Sequence, residues 1–363
     1  MAGRSPRRRV YAGLSHGLDY GAAALLTLLA APLPSFLVAA ACSAALCVLL
    51  RPLLLRYALA RPNARSSHRV PTPQGGGIAV LGGALLALGT VLALLPPGTG
   101  GHGLPFVVGA TIALAIVGAW DDIRPLSARL RLGLQALCVA VVIVYAAPEV
   151  QLFPELMPQA AERCLALLAG VWFVNLVNFM DGLDWITVAG IVPLTAALAL
   201  AGSFGVVDPA SGLLAAALCG GLVGFAPFNR PVARLFLGDV GSLPIGLLVA
   251  YLLYRLAGSG ALIPAIILPL YHIADSTLTL LRRLARGEKV WEAHRSHFYQ
   301  QATTNGFSVL AVVTRVALLN LLLVALAALA LARPELPVQA ACLAMAALAT
   351  GLLLRRFARG PRR

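Results

Sequence analysis

Long uninterrupted apolar runs constrain the fold of this chain more than any other feature. They are about 17–25 residues long, the length that an α-helix needs to cross roughly 30 Å of hydrocarbon. Of the 363 residues, 60% are hydrophobic and only 12% are charged. The runs lack the strict alternation of apolar and polar residues that is typical of membrane β-barrel strands. The sequence therefore predicts an all-α, polytopic membrane protein.

About eleven transmembrane helices are predicted, in a single integral-membrane domain over residues 1–363, because the linkers are too short for a separate soluble domain. The predicted spans are residues 34–55, 75–95, 104–120, 130–147, 164–179, 186–204, 209–228, 240–256, 261–281, 307–331 and 336–354. Residues 1–33 form a basic and apolar extension without a convincing signal-peptide cleavage site. This extension is an additional span, a re-entrant segment or an over-extended start.

The loops between the spans predict the orientation. Basic loops alternate with loops that contain almost no Lys or Arg, and the C-terminal tail is also basic. The positive-inside bias places the basic loops and the C-terminus in the cytoplasm. The same bias, together with anionic lipid headgroups, explains the net charge of +14 without a nucleic-acid partner. The six cysteines lack metal-ligand spacing and are interpreted as small buried hydrophobes.

Five polar clusters all fall on the side of the basic loops. Acidic side chains in or at the edge of a membrane cost about 2.5–3.5 kcal/mol on insertion scales, so a functional role is favoured. The clusters are residues 61–77, 120–126, 175–184, 236–243 and 293–300. Their common side predicts one active site at the cytoplasmic face.

The acidic clusters each have a functional and a structural interpretation. Asp239 lies between glycines, which leaves room for Mg²⁺ and a phosphate, and Mg²⁺ needs only one or two carboxylates beside substrate phosphates. If the helix continues through them, the spacing of Asn178, Asp181 and Asp184 places them on one face, where they can hold a cation or a ligand. The structural alternatives are helix capping by the acids at 121, 122 and 239 and an Asp-Gly turn at 181. The pair at 121 and 122 can also simply offset the charge of Arg129 and Arg131.

The last cluster is basic and contains two histidines. His294 and His297 flank Arg295, and this combination suits an oxyanion such as diphosphate. Arg65 and His68 in the first cluster can receive a lipid phosphate in the same way. The alternative is a solvated basic loop against lipid headgroups. Asp275 lies inside a predicted span, where a salt bridge and a functional role are both open.

Taken together, these motifs resemble the polyprenyl-phosphate N-acetylhexosamine-1-phosphate transferases, in glycosyltransferase family 4, which also contains phospho-N-acetylmuramoyl-pentapeptide transferase. The matching motifs are PNxRSSHxxPTPxGGG at 62–77, WDD at 120–122, NFMDGLD at 178–184, FLGDxGS at 236–242 and HRSHFYQ at 294–300. The last motif is similar to that of the bacterial branch that initiates O-antigen or similar surface glycans.

The resemblance implies a reaction at the cytoplasmic face of the bacterial inner membrane. Undecaprenyl phosphate attacks the β-phosphate of a UDP-N-acetylhexosamine, which releases UMP and leaves a lipid diphosphate sugar. Mg²⁺, or Mn²⁺ in its place, is the implied cofactor. A homodimer is implied as well.

The resemblance also implies roles for individual residues. Asp121, Asp122, Asp239 and His294 are expected in catalysis, and which aspartate acts as a general base stays open. Asp239, Asp122 and Asn178 are expected at the metal. The expected substrate-binding residues are Arg65, His68, Arg131, Asn175, Asn178, Asp181, Asp184, Phe236 as the partner that stacks on uracil, Arg295 and His297.

One residue departs from the family pattern, which usually continues DGLDG. Here Trp185 follows Asp184, and its indole either narrows the nucleotide-sugar site or lies at the membrane interface. The sequence therefore leaves the identity of the sugar open. Two other functions remain as alternatives. An intramembrane prenyltransferase would share the acid spacing of 178–184, and a lipid transporter would carry its polar groups near the bilayer midplane.

Overall fold

The structure, a computed structural model, describes residues 31–60, 71–289 and 294–361. Within these ranges, ten helices are long and apolar enough to cross a membrane. This confirms the predicted all-α, polytopic membrane fold. The predicted N-terminal extension lies outside the described residues, apart from its last three.

Thirteen α-helices and one short hairpin make up the described chain. The helices are α1 (Pro32–Tyr57), α2 (Gly76–Leu94), α3 (Leu104–Ile123), α4 (Ala128–Val141), α5 (Gln159–Phe179), α6 (Ile186–Ser203), α7 (Pro209–Phe225), α8 (Asp239–Gly258), α9 (Leu262–Ile267), α10 (Leu270–Ala285), α11 (Phe298–Thr304), α12 (Val309–Ala332) and α13 (Leu336–Arg359). A wider turn over Val142–Ala146 continues α4. Strands β1 (Leu59–Ala60) and β2 (Thr72–Pro73) pair antiparallel.

The predicted span 261–281 is not one helix. It is divided into α9 and α10 at Leu268 and Pro269. Proline has no N–H to donate, and its ring clashes with the carbonyl of the preceding turn, so the helix breaks there. The second part, α10, then presents a buried polar face that includes His272, Asp275 and Thr279.

Helices α7 and α8 form the centre of the bundle and are the most buried of the long helices. Helix α7 packs against α1, α2 and α6, and α8 packs against α3 and α5. The outer helices expose leucines such as Leu49, Leu168 and Leu348, as expected for surfaces in contact with lipid.

Glycines bring the beginning of α8 into backbone contact with two neighbouring helices. A Cβ atom on Gly118 of α3 would lie 2.2 Å from the Asp239 carbonyl oxygen. A Cβ atom on Gly77 of α2 would lie 2.2 Å from the Gly241 Cα. Two of the acidic clusters and the GGG motif are therefore joined through close helix packing.

The N–H groups of the GGG motif are used by the protein itself. Gly76 N–H donates to the Phe236 carbonyl at 2.8 Å, and Gly77 N–H donates to the Leu237 carbonyl at 2.8 Å. Phe236 N–H in turn donates to the Pro73 carbonyl at 2.8 Å. These bonds fix the segment that leads into α8.

We expect Gly118→Val to destabilise the protein because the added side chain would overlap the backbone at Asp239. Overpacking of this kind costs about 1–3 kcal/mol, which would lower the melting temperature of the purified protein. Gly109→Val on the same helix is the matched control, because nothing lies within 4 Å of a Cβ atom there. Equal melting temperatures for the two variants would contradict the proposed close packing.

Candidate active site

Four of the five polar clusters meet at one end of the bundle, where α3 and α5 end and α8 and α11 begin. Residues 71–77 of the remaining cluster join them through the backbone bonds to Phe236 and Leu237. Arg65 and His68 lie outside the described residues. The predicted convergence of distant motifs at one end of the bundle is thus present in the structure.

Asp122 holds the first turn of α8. Its Oδ1 accepts the N–H of Asp239 at 3.0 Å, and its Oδ2 accepts the N–H of Val240 at 3.1 Å. The first N–H groups of a helix have no partner within the helix, so a carboxylate here satisfies two of them. Gly238 adopts a φ of +77°, and a Cβ atom there would lie 2.6 Å from Asp122 Oδ2. Asp122 therefore positions Asp239.

Asp239, at the start of α8, has a carboxyl group that solvent can reach. Its side chain is 29% exposed. Its Oδ1 accepts a hydrogen bond from Asn178 Nδ2 at 2.8 Å, and the same amide donates to Ser242 Oγ at 2.9 Å. The contact joins the end of α5 to the beginning of α8. Ser242 was not among the predicted site residues, although it belongs to the FLGDxGS motif.

Arg131 of α4 supplies positive charge beside the aspartates. Its Nη1 lies 2.7 Å from Asp121 Oδ2 and 3.8 Å from Asp239 Oδ2. Leu126 N–H also donates to Asp121 Oδ1 at 2.6 Å. Asp121 and Asp239 both lie beside the same guanidinium nitrogen. One guanidinium therefore faces two adjacent carboxyl groups.

The excess of negative charge suits a divalent cation that arrives with phosphate. Within the described ranges, no three His, Cys, Asp or Glu side chains are close enough to hold a metal ion by themselves. Mg²⁺ needs only one or two carboxylates when substrate phosphates supply the other ligands. The accessible Asp239 and the adjacent Asp121 fit that requirement. Asp122 and Asn178 already form hydrogen bonds within the protein. Their predicted role as metal ligands is not tested by these contacts and stays a prediction.

Of the two interpretations of Asn178, Asp181 and Asp184, the structure confirms the Asp-Gly turn and not the shared helical face. Helix α5 ends at Phe179, so the two aspartates lie in the turn that follows. Asp181 Oδ1 accepts a hydrogen bond from the Thr187 hydroxyl at 2.5 Å. The buried Asp184 accepts the N–H of Ala233 at 3.0 Å through Oδ2. Gly182 favours the turn over a further helical turn.

Asn175 lies one turn deeper in the bundle than Asn178 and is buried. Its Nδ2 donates to Gln135 Oε1 at 2.7 Å and to the Val171 carbonyl at 2.8 Å. Asn175 and Asp184 are thus engaged within the protein, and substrate binding by either stays a prediction.

Trp185 faces the protein rather than the membrane interface. Its backbone N–H donates to Asn229 Oδ1 at 2.8 Å, and its indole N–H donates to the Ala226 carbonyl at 2.6 Å. Its φ is 63°, in the left-handed region, which costs an L-residue roughly 1–2 kcal/mol. The protein holds this residue in a strained conformation by two hydrogen bonds.

Asp275 holds the HRSHFYQ segment in the way that Asp122 holds α8. The carboxyl group is fully buried, Oδ1 accepts the N–H of Phe298 at 2.9 Å, and Oδ2 accepts the N–H of Tyr299 at 3.1 Å. The Tyr299 hydroxyl donates to the Phe179 carbonyl at 2.9 Å, which connects α11 to the end of α5. An acid inside an apolar run was the sequence signal for Asp275, but its partners were not predictable.

The two histidines lie in different environments. His297 is buried, with Nδ1 3.4 Å from Asp275 Oδ1, and its ring stacks on His294 at 4.8 Å between centroids. His294 is only partly buried. Burial, together with the nearby His297 and Arg283, lowers the pKa of His294 to about 4, so its imidazole is neutral at pH 7. His294 and Arg295 are both partly buried, whereas His297 is buried, so a ligand can reach the first two more readily than His297.

Comparison with known proteins identifies related membrane enzymes. The model of glycosyl transferase family 4 matches residues 104–257. The chain is 28% identical over 285 residues to decaprenyl-phosphate N-acetylglucosaminephosphotransferase of Mycobacterium leprae, which covers 69% of this chain and 71% of that protein. It is 29% identical over 303 residues to phospho-N-acetylmuramoyl-pentapeptide-transferase of a Mycobacterium species, with 69% and 83% covered. It is 27% identical over 281 residues to a probable undecaprenyl-phosphate N-acetylglucosaminyl 1-phosphate transferase of Bacillus subtilis, with 72% and 75% covered.

Asp181 should make the stability of the metal-free protein depend on pH. Burial, and then the charges of Asp239, Asp122 and Asp184, raise the pKa of Asp181 to about 8. Between the ordinary carboxyl pKa of about 3.9 and this value, the native state retains a proton that the unfolded chain has released. The melting temperature in EDTA should therefore fall as pH rises through this window, and Asp181→Asn should make the decline shallower. If the melting temperature fell equally steeply with pH in wild type and Asp181→Asn, the raised pKa of Asp181 would be contradicted.

Asp275→Asn should destabilise the protein by about 1–3 kcal/mol, because the new amide NH₂ would face a backbone N–H that has lost its acceptor. The melting temperature and the accessibility of the 294–300 segment to protease report the change. Ser276→Ala is the matched control, since the buried Ser276 hydroxyl makes no hydrogen bond within the described part of the chain. An unchanged melting temperature in Asp275→Asn would show that these contacts do not hold α11.

Proposed function

We propose that this membrane protein transfers N-acetylhexosamine-1-phosphate from a UDP-sugar to undecaprenyl phosphate. The match of residues 104–257 to the model of glycosyl transferase family 4 supports this proposal. The products are a lipid diphosphate sugar and UMP. The relatives are named as transferases that act on decaprenyl or undecaprenyl phosphate and N-acetylglucosamine phosphate, which supports this reaction class. The observation that carries the proposal is the convergence of Asp121, Asp239, Asn178 and Arg131 at one end of an apolar bundle.

The chemistry requires charge neutralisation more than a protein nucleophile. The phosphate oxygen of the polyprenyl lipid is already an anion, and it attacks the β-phosphorus of the UDP-sugar. The bond between that phosphorus and the bridging oxygen breaks, and UMP leaves with the oxygen. Catalysis of such a step depends on positioning of the phosphates and on stabilisation of their negative charge.

The aspartate end of the bundle suits that task. When bound, Mg²⁺, or Mn²⁺ in its place, would neutralise the diphosphate. Asp239 would hold the ion, and Asn178 fixes the orientation of the Asp239 carboxyl group through its 2.8 Å hydrogen bond. Asp122 keeps the backbone of Asp239 in place. Arg131 lies beside Asp121 and Asp239, so it would bind an oxygen of a phosphate held at Asp239.

The remaining predicted residues divide between the two substrates. Phe236 is partly buried on a segment fixed by backbone bonds to Pro73 and Gly76, which suits a ring that stacks on uracil. His294 and Arg295 would face the diphosphate. Arg65 and His68 of the first loop are assigned to the lipid phosphate by resemblance alone.

We place the site at the cytoplasmic face of a bacterial inner membrane, since Arg124 and Arg131 of the second basic loop lie at the same end as the aspartates and the positive-inside bias favours the cytoplasm for such loops. A role in the first membrane step of lipopolysaccharide O-antigen or other surface-glycan synthesis follows from the resemblance, as does a homodimer. The polar groups gather at one end of the helices, which favours a transferase over a transporter with a site at the bilayer midplane. A prenyltransferase would give no role to the GDVGS and HRSH segments.

The direct test is a transfer assay with purified protein, undecaprenyl phosphate, Mg²⁺ and a panel of labelled UDP-N-acetylhexosamines. We expect a labelled lipid and stoichiometric UMP with at least one donor. Transfer of a prenyl group without UMP release would identify the prenyltransferase alternative. Absence of both lipid product and UMP with every donor would refute the proposed reaction.

Asp239→Asn should lower kcat by at least about 100-fold, since it removes the charge that would hold the metal ion at the phosphates. The amide is nearly isosteric, so the variant should elute as a folded protein in size-exclusion chromatography. Glu149→Gln is the control, because this exposed acid lies at the opposite end of the bundle beside Arg255. Turnover by Asp239→Asn close to that of the control would exclude the metal role of Asp239.

A further inference from the structure

Trp185 is held in a conformation that its residue type disfavours. It is the one non-glycine residue with positive φ in residues 31–60, 71–289 and 294–361. A bulky side chain in this region is a genuine outlier, and such strain persists only where the surroundings determine the conformation. Strained residues of this kind cluster at functional sites. The contacts around Trp185 therefore indicate which part of the structure depends on this strained conformation.

The contacts join Trp185 and its neighbour to one segment, residues 226–236, which we call the 226–236 loop. Trp185 binds this loop twice, through its indole N–H to the Ala226 carbonyl and through its backbone N–H to Asn229 Oδ1. Asp184 binds the loop a third time by accepting the N–H of Ala233. Two consecutive residues thus hold the loop at its first residue, Ala226, and at two points further along it, Asn229 and Ala233.

The 226–236 loop leads directly into the candidate active site. Asn229, which accepts the Trp185 N–H, also donates from Nδ2 to the Leu235 carbonyl at 2.9 Å. Leu235 is followed by Phe236, and Asp239 begins α8 three residues later. A change at Trp185 would therefore be transmitted through Asn229 to the segment that carries Phe236.

On its other side, Trp185 adjoins the turn that carries Asp181. Thr187, two residues further along α6, donates its hydroxyl hydrogen to Asp181 Oδ1. The strained residue lies between two surfaces of the same site, one with Asp181 and one with Phe236. Glycine would adopt the observed φ without strain, but it could not donate the indole hydrogen bond to Ala226.

We propose that Trp185 is a positioning residue for the nucleotide-sugar donor, because it fixes the distance between the Asp181 turn and the loop that carries Phe236. This inference rests on the proposed transferase function. The acceptor phosphate is assigned to residues outside these contacts. Loss of the indole hydrogen bond should therefore weaken donor binding and leave acceptor binding unchanged.

Trp185→Phe and Trp185→Gly test the two components separately. Phenylalanine retains a ring and the strained backbone but lacks the N–H, and glycine removes both the strain and the ring. We expect Trp185→Phe to raise KM for the UDP-sugar about 3- to 10-fold, with kcat and KM for undecaprenyl phosphate within twofold of wild type. Trp185→Gly should raise the donor KM by more than 10-fold, although its backbone is relaxed.

Trp172→Phe is the matched control. Trp172 is also partly buried and donates an indole hydrogen bond, to Thr277 Oγ1 at 3.3 Å, and neither residue takes part in the contacts between Trp185 and the 226–236 loop. Its replacement should leave both KM values unchanged. A purely structural role for Trp185 would lower the active fraction, and hence kcat, in both Trp185 variants with unchanged KM values.

The outcomes separate this inference from the proposed function. Wild-type turnover with an unchanged donor KM in Trp185→Phe would overturn the positioning role and leave the transferase assignment intact. Equal rises in the KM values for donor and acceptor would also overturn it. Absence of wild-type turnover with every donor would refute the proposed function and, with it, the inference.

Discussion

The two hydrogen bonds from the start of α8 to the carboxyl group of Asp122 organise this end of the molecule. A helix leaves its first N–H groups without partners, and a buried N–H without an acceptor is costly. Asp122 satisfies the N–H groups of Asp239 and Val240 from the neighbouring helix α3. Because Asp239 is the first residue of α8, the same bonds that satisfy the backbone also set the position of its carboxyl group. Gly118 permits this arrangement by allowing the two backbones to touch.

The protein uses the same arrangement a second time. Asp275, fully buried in α10, accepts two consecutive N–H groups at the start of α11, and the Tyr299 hydroxyl then joins α11 to the end of α5. The acids at this end consequently fall into two groups. Asp122, Asp184 and Asp275 bind backbone N–H groups and build the frame, whereas Asp239 keeps an accessible carboxyl group. A residue type that is costly near a membrane is thereby used both for structure and for chemistry.

The motifs and their shared end of the bundle were predictable because charge, hydropathy and spacing are local properties of the chain. Sequence patterns were insufficient where helix ends and helix packing decided the structure. The three-residue spacing of Asn178, Asp181 and Asp184 allowed either a shared helical face or a turn, and only the end of α5 at Phe179 decided for the turn. The span 261–281 satisfied the hydropathy pattern, but Pro269 divides it. For Trp185, the sequence left open whether the indole narrows the nucleotide-sugar site or lies at the membrane interface. Its hydrogen-bond partners lie more than forty residues away, so no local pattern could decide between the two.

The sequence alone determined that the chain crosses a membrane repeatedly, that its polar clusters share one side, and that the clusters resemble one transferase family. These conclusions need only helix length, loop charge and residue order. The tertiary structure alone decided which aspartate is accessible and which ones hold helices in place. That division depends on hydrogen bonds between residues as far apart as Asp122 and Val240 or Asp275 and Tyr299, and on the absence of a Cβ atom at Gly118. Such contacts exist only once the helices have packed, and no local pattern specifies them.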